Sequence, residues 1–391
     1  MRAGYPRPLG PNGGGEMARR RVLASAAGLA AGLLAGCGSR PITAPGGGPQ
    51  GSFERPASRW VRARWEDLPG LQDDAVGQAL GAWRASCARG GPAWERACAA
   101  AALLDARDHD AVRSWMLQHL EPWRIEDRSG QAEGLLTGYY EPHFEARRLP
   151  DREFRAPLHA PPADLQQRRP HWSRQQTESL REAQSALQGR TIAHLRDPLD
   201  VLILQVQGSG RLTITEPGGQ RRPVRLAFAG HNDHPYQSIG RWLIEKGQIT
   251  AGQASWAGIR EWMRRNPSRV QEVMWVNPRV VYFREEPLPD PMVGPRGAIG
   301  IALTPERSIA VDPRSIPYGC AVWIDAVAPS GPPALRRLVV AQDTGSAITG
   351  AVRADYFWGW GERAELEAGR TQRRLRMWAL MPQGGAGSLL A

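Results

Sequence analysis

Leu338-Val339-Val340-Ala341-Gln342-Asp343-Thr344-Gly345-Ser346, followed shortly by Asp355-Tyr356-Phe357-Trp358-Gly359-Trp360, is the stretch whose reading decides the fold. An apolar, β-branched run halted by turn-forming residues predicts a strand entering a tight loop. The pattern recurs outward in Ile301–Leu303, Ile309–Val311, Ala321–Ile324 and Met377–Leu380. Many short strands separated by turns predict a closed, barrel-like β domain over this part of the chain. No fixed-period repeat accompanies them.

Further upstream, Leu135–Tyr140 predicts a strand closed by Glu141-Pro142, and Val201–Gln207 predicts a buried strand turned by Gly208-Ser209-Gly210. Leu212–Thr215 alternates as a half-buried strand does. Residues 150–175 are polar and proline-rich, which predicts a long connection. Helical spacing appears between Gln72 and Leu120, with Val76, Leu80 and Trp83 on one face. After a break at Gly90-Gly91-Pro92 it continues through Leu103, Leu104 and Trp115. It returns in Ile239, Trp242 and Leu243, and in Trp256, Ile259 and Met263, where Pro267 should stop it.

The 391 residues, 41% of them hydrophobic, exceed what one domain ordinarily needs, so two are expected. The net charge of +11 raises the question of a nucleic-acid partner. Lys246 is the only lysine, and the arginines are spread along the chain instead of forming a stripe, so no nucleic acid is expected.

At the N-terminus, Arg19-Arg20-Arg21 precedes an apolar run, Val22–Leu34, that ends in Leu34-Ala35-Gly36-Cys37. The run is too short to span a bilayer and reads as a signal peptide whose end resembles the lipobox of bacterial lipoproteins. Cys37 would be the acylated anchor, with Ser39 favouring the outer membrane over retention. The arginines suit the general export route or the twin-arginine one. Residues before Met17 read as an upstream extension. Gly- and Pro-rich residues 38–52 read as a flexible tether. In an oxidising compartment Cys87, Cys98 and Cys320 allow one intramolecular pair. Cys87 and Cys98 flanking the break could be joined, or could be two buried thiols.

Three aspartates stand beside the predicted C-terminal strands: Asp312, Asp343 and Asp355. A carboxylate held on a rigid strand beside a cleft is what acid–base chemistry requires. The aromatic run after Asp355 would desolvate it and raise its pKa toward the range of a general acid. Asp312 before Pro313 reads equally as a turn residue. Asp343-Thr344-Gly345-Ser346 matches the tetrapeptide of aspartic proteases, but no second copy supplies the other carboxylate. His231-Asn232-Asp233-His234 lacks a third ligand and reads as a polar loop. The cysteines lack zinc spacing, and neither a phosphate loop nor a nucleophile elbow occurs, so no metal or cofactor is expected.

Leu136–Pro142, Gln205–Gly210, Tyr236-Gln237-Ser238-Ile239-Gly240 and Asp343–Ile348, in this order and behind a lipobox, resemble the membrane-bound lytic murein transglycosylase A family. The resemblance spans roughly residues 53–382, and the C-terminal part is similar to the family's three-aspartate domain. It implies a mainly β protein: a double-psi β-barrel with a second, smaller β-barrel inserted, and helices near the N-terminus. The implied divisions are a signal peptide with lipobox (1–37), the tether (38–52), the first part of domain 1 (53–144), the inserted barrel (145–284), the rest of domain 1 (285–383) and a flexible tail (384–391). A groove between the barrels would hold a peptidoglycan glycan strand.

The resemblance further implies that Asp355 is the catalytic acid/base with Asp343 beside it. Thr137, Gly138, Tyr139, Tyr140, Gln207, Gly208, Ser209, Gly210, Asp312 and Thr344 would contact substrate. The other expected partners are the membrane, through lipid on Cys37, and proteins of cell-wall synthesis or division.

Overall fold

The computed structural model describes residues 51–87 and 92–384. Cys37, the export segment and tether before residue 51, and the tail beyond 384 lie outside them. The described part starts with a hairpin, β1 (Ser52–Arg55) and β2 (Ser58–Arg62), and three helices, α1 (Leu80–Cys87), α2 (Pro92–Ala102) and α3 (His109–His119). Val76 belongs to a short 3-10 turn ahead of α1. Asp108 caps α3 by accepting the N–H of Ala111. Cys87 and Cys98 are joined in a disulfide that ties α1 to α2, while Cys320 is a buried thiol.

Strands β3 (Leu120–Glu126) and β4 (Gly134–Glu141) follow. The chain then builds a second assembly: β5 (His143–Arg147), β6 (Ala156–His159), α4 (Arg174–Ser179), α5 (Arg181–Ala186), β7 (Thr191–Leu195), α6 (Pro198–Gln207), β8 (Gly210–Thr215) and β9 (Arg221–His231). Helices α7 (Ile239–Glu245), α8 (Trp256–Arg265) and α9 (Val270–Val276) and strand β10 (Val281–Pro287) complete it. The chain returns through β11 (Ser308–Val311), β12 (Ala321–Ala328), β13 (Gly331–Asp343), β14 (Arg353–Trp360), α10 (Glu362–Arg370) and β15 (Gln372–Pro382).

Six strands close on themselves in the order β15-β12-β13-β11-β14-β4, with β4 pairing back to β15, while β3, β2 and β1 continue outward from β15. The pairs β11–β13 and β14–β4 are parallel and the other pairs of the ring antiparallel. This is the double-psi β-barrel of a mainly β protein. Its interior is filled by alternate residues, among them Leu136, Ile309, Val311, Ala354 and Tyr356. The intervening residues, including Thr137, Ala310 and Asp355, therefore point outward.

The second sheet runs β10-β9-β8-β5-β7-β6 around its own apolar core. Its end strands β6 and β10 approach each other without pairing, so this smaller barrel keeps an open seam.

Two predicted strands are not strands. Val201–Gln207 lies in helix α6, which starts where the Asp197 carboxylate accepts the N–H of Leu199 and Pro198 takes the first turn. It ends at Gly208, whose φ of 79° suits the left-handed cap. Val201 and Leu204 face the second barrel's core, while Leu199, Leu202 and Ile203 face the α7–α9 cluster. A helix buried on two sides has no polar stripe, so its periodicity disappears. Ile301–Leu303 is likewise not a strand, since only Ala302 makes an isolated bridge, to Arg296. Residues 150–175 are not pure connection, because β6 and the start of α4 lie within them. Pro267 does follow the end of α8, where it opens a 3-10 turn.

The last residue of β4 ties the two sheets together. Glu141 is fully buried and accepts from Arg211 Nε of β8 and Arg225 Nε of β9, both at 2.7 Å. Arg211 also donates to the carbonyls of Pro291 and Val293, which fixes the returning loop against the same cluster. Removing one member of a buried ion cluster leaves uncompensated charge and typically costs about 3–5 kcal/mol. Glu141→Gln should therefore lower unfolding stability by about 3 kcal/mol or more in urea denaturation; an unshifted midpoint would show that the cluster carries no such weight.

Candidate active site

The register of four neighbouring strands builds a row of polar groups on the outer face of the barrel. Ala310 of β11 stands opposite both Asp343 of β13 and Asp355 of β14, and Asp355 stands opposite Thr137 of β4. Residues directly opposite share a face, so Asp343, Asp355 and Thr137 all project outward. Asp343 and Asp355 are two strand spacings apart at the backbone, roughly 10 Å. Tyr139, two residues beyond Thr137, shares the face and packs on Phe357, Ala310 and Ile348.

Asp355 is half-buried. The hydroxyl of Thr137 lies 2.6 Å from its Oδ1. An Arg353 guanidinium N–H donates to that same hydroxyl at 2.9 Å. Thr137 thus accepts from Arg353 and has its single proton to give to Asp355. Burial raises the pKa of Asp355, opposed by the Thr137 hydrogen bond and the Arg353 charge. Its Oδ2 makes no hydrogen bond within the described residues and is the atom left for a ligand.

Asp343 is placed differently. The Tyr139 hydroxyl donates to its Oδ2 at 2.9 Å, and the Ala298 N–H donates to its Oδ1 at 3.0 Å. Burial pushes its pKa up to about 6; these donors and the Thr344 N–H oppose the rise, and the Asp355 charge adds to it. Burial and the two carboxylates raise the Tyr139 hydroxyl well above its ordinary value, so it stays a donor.

The other predicted contacts divide. Gly138 lies beneath the Trp358 indole, where a Cβ would come within 2.8 Å of Nε1. The Tyr140 ring is buried against Ala364 and Ala368 of α10, away from the aspartates, while its N–H donates to Gln207 Oε1 at 3.0 Å. Gln207 is therefore spent on joining α6 to β4. Gly208 ends α6, and Gly210 has no room for a side chain because a Cβ would sit 2.1 Å from Leu204 Cδ2. Ser209 is half-buried in the turn between them.

Asp312 is not brought to the row: its oxygens accept from the Arg314 side chain and N–H and from the Gly350 N–H, which makes it the turn-holding residue of the alternative reading. The Thr344 hydroxyl donates to the Val311 carbonyl. In the histidine loop, His234 Nε2 contacts the His171 carbonyl and His231 lies beside Asp233. No metal-ligating group of three or more side chains occurs among the described residues.

Three contributors escaped the sequence reading. Arg353 could have been found, since it lies two residues from Asp355 and hence on the same strand face. Glu141 with Arg211 and Arg225 had no local signal. Trp360, which joins the Tyr139–Phe357 cluster and stacks under the Arg211 guanidinium at 4.1 Å, was visible only as part of an aromatic run.

The chain is similar to known proteins over most of its length. Residues 135–284 match the MltA specific insert domain and residues 307–381 the 3D domain. The membrane-bound lytic murein transglycosylase A of Vibrio cholerae is 30% identical over 293 residues, covering 70% of this chain and 74% of that protein. The chain belongs to the membrane-bound lytic murein transglycosylase A family. Among solved structures, the lytic transglycosylase LtgG of Burkholderia pseudomallei is 42% identical, covering 84% of this chain and 97% of its own, with a TM-score of 0.59. Escherichia coli MltA with bound chitohexaose is 25% identical, covering 88% and 99%, with a TM-score of 0.65.

Asp343 offers a test of the site's electrostatics that does not involve turnover. An aspartate titrates near 3.9 in an unfolded chain but near 6 here, so between those values the folded state binds more protons. Stability from this group is present at low pH and falls as pH rises through the window, by up to about 3 kcal/mol. Asp343→Asn removes the effect, so its stability relative to the parent should rise between pH values below and above the window. Chemical denaturation at the two ends measures this, and an unchanged difference would show that Asp343 is not displaced upward.

Proposed function

We propose that the protein is a lytic transglycosylase that breaks the β-1,4 bond between N-acetylmuramic acid and N-acetylglucosamine in peptidoglycan, leaving 1,6-anhydromuramoyl ends. Family membership supports the reaction class, and the chitohexaose held by the E. coli relative supports a glycan ligand. The observation that carries the assignment to Asp355 is its half-buried carboxyl on the outer face, held on one oxygen by Thr137 and free on the other.

Asp355 in its acid form gives the proton on Oδ2 to the glycosidic oxygen as the C1–O bond breaks. The resulting carboxylate then takes the proton from the C6 hydroxyl of the same muramic acid as O6 bonds to C1. The proton returns to Asp355 and no water is consumed. A glycoside hydrolase ordinarily needs a second carboxylate to activate water or attack carbon. Here the neighbouring candidate, Asp343, has both oxygens engaged by Tyr139 and Ala298. In this reading Thr137 and Tyr139 line the groove beside the acid/base. Gly138 and the Gln207-Gly208-Ser209-Gly210 turn shape its wall, and Asp312 and Thr344 hold the loops around it.

Asp355→Asn preserves shape but can neither give nor take the proton. General acid–base catalysis contributes about a hundred- to ten-thousand-fold, and both transfers depend on this residue, so the loss should reach the upper end while glycan binding survives. Product analysis on purified sacculi decides the class: anhydro ends support the proposal, reducing ends would mean a hydrolase, and intact glycan with binding would mean a non-catalytic binder.

We further infer an envelope location, in line with the membrane-bound relatives, with Cys37 carrying the lipid at the outer membrane. Cys37→Ala should move the protein from the membrane to the soluble or unprocessed fraction, and an unchanged membrane fraction would overturn the anchor.

A further inference from the structure

The open seam of the second barrel leads into a cavity of about 880 Å³, in the upper part of the roughly 300–1,000 Å³ range of ligand sites. It is bounded by β6, by Val280 just ahead of β10, by α4, α5 and α9, and by one flank of α6. None of Thr137, Tyr139, Asp343 and Asp355 lines it, so it is separate from the polar row on the first barrel.

Arg174 in its wall is only 3% exposed. Its Nε donates to the Asn277 carbonyl at 3.0 Å and one Nη to Gln205 Oε1 and the Arg279 carbonyl, at 2.5 and 2.7 Å. Its other Nη donates to nothing, and no carboxylate pairs with it among the described residues. Burial pulls its pKa down to about 10, opposed by the charge of Glu178 and by Tyr282, which leaves it cationic at neutral pH. Arg181, exposed at the mouth, also lacks a carboxylate partner among the described residues. The acidic side chain of the lining, Glu178, is occupied by Gln271 and by Trp275 Nε1. A buried cation with no carboxylate in contact is costly, and an incoming anion hydrogen-bonded to it would relieve more of that cost than the charge of Glu178 does from a distance.

The rest of the wall says what kind of anion fits. β6 is an end strand of its sheet, so its outer edge carries backbone groups unpaired by any strand, Pro157 having a carbonyl but no N–H, and a peptide can use them where an acyl chain cannot. Val201, Met274 and Val280 supply room for short aliphatic side chains. We infer that this cavity binds a short acidic peptide, its carboxylate on Arg174 and Arg181 and its backbone along the free edge of β6. Peptidoglycan stem peptides, built from alanine and dicarboxylic residues, belong to that class; naming them as the source rests on the activity proposed above. α6 connects the two places, since Gln205 lines the cavity and Gln207, two residues on, bonds to Tyr140 of β4.

Isothermal titration of the purified protein with the free tripeptide L-Ala-γ-D-Glu-meso-diaminopimelate tests this directly. Saturable one-to-one binding is expected, unchanged in Asp355→Asn and weakened about tenfold or more by Arg181→Ser, as for loss of a charge-assisted contact. Arg174→Gln should weaken it at least as much; because Arg174 is buried, its variant is scored only if folded, and the exposed Arg181 carries the test otherwise. No saturation at millimolar peptide, binding indifferent to Arg181→Ser, or displacement of the peptide by a fatty acid would overturn the inference. Cleavage of peptide-free glycan by the unsubstituted protein is assayed in parallel. Cleavage without peptide binding overturns the peptide site alone, whereas peptide binding without cleavage upholds the site and overturns the catalytic reading alone.

Discussion

The placement of β4 is the constraint on which the rest depends. Its parallel pairing with β14 sets Thr137 opposite Asp355, and its antiparallel pairing with β15 closes the barrel. Its final residue, Glu141, anchors the second assembly. A one-residue slip would turn every outward side chain of the strand into the barrel, so the same register that buries Leu136 presents Thr137 and Tyr139. Fold closure, carboxylate support and the attachment of the inserted sheet are thus fixed by eight residues.

The buried charges divide into two kinds by what surrounds them. Glu141 with its two arginines, and Asp74 held by Arg307, Arg337 and the Leu338 N–H, are saturated by partners and serve as anchors. Asp355 is supported on one side only. Thr137 and Arg353 steady it without neutralising the effect of burial, so its pKa stays raised while that of Asp74 is lowered. The guanidinium partners of Asp74, more than burial, separate its lowered carboxyl from the raised one of Asp355.

Much of the first barrel is legible in the chain. Ile309–Val311, Ala321–Ile324, Leu338–Ala341 and Met377–Leu380 each form part of a strand, because a short strand inside a closed barrel reads as an apolar run between turn residues. The aspartates beside them are legible for the same reason, since a polar residue beside such a run is conspicuous. Val201–Gln207 is misread because a helix buried on both sides has the same composition as a buried strand, and only the Asp197-Pro198 start and Gly208 stop tell them apart. Asp312 and Asp343 look alike in sequence, and only their partners distinguish a turn holder from a member of the row. Pairings across long separations, such as Glu141 with Arg225 or Thr137 with Asp355, leave no local trace at all.

The difference between Asp343 and Asp355 also bears on why one carboxylate suffices. A second carboxylate with an unengaged oxygen on this face would offer a second proton carrier to the same substrate. Here Tyr139 and Ala298 engage both oxygens of Asp343 and hold it in place. The arrangement leaves a single group with an unengaged oxygen and a raised pKa. A reaction whose nucleophile is carried by the substrate needs one proton carrier and no second base, and the outer face of this barrel is built with one.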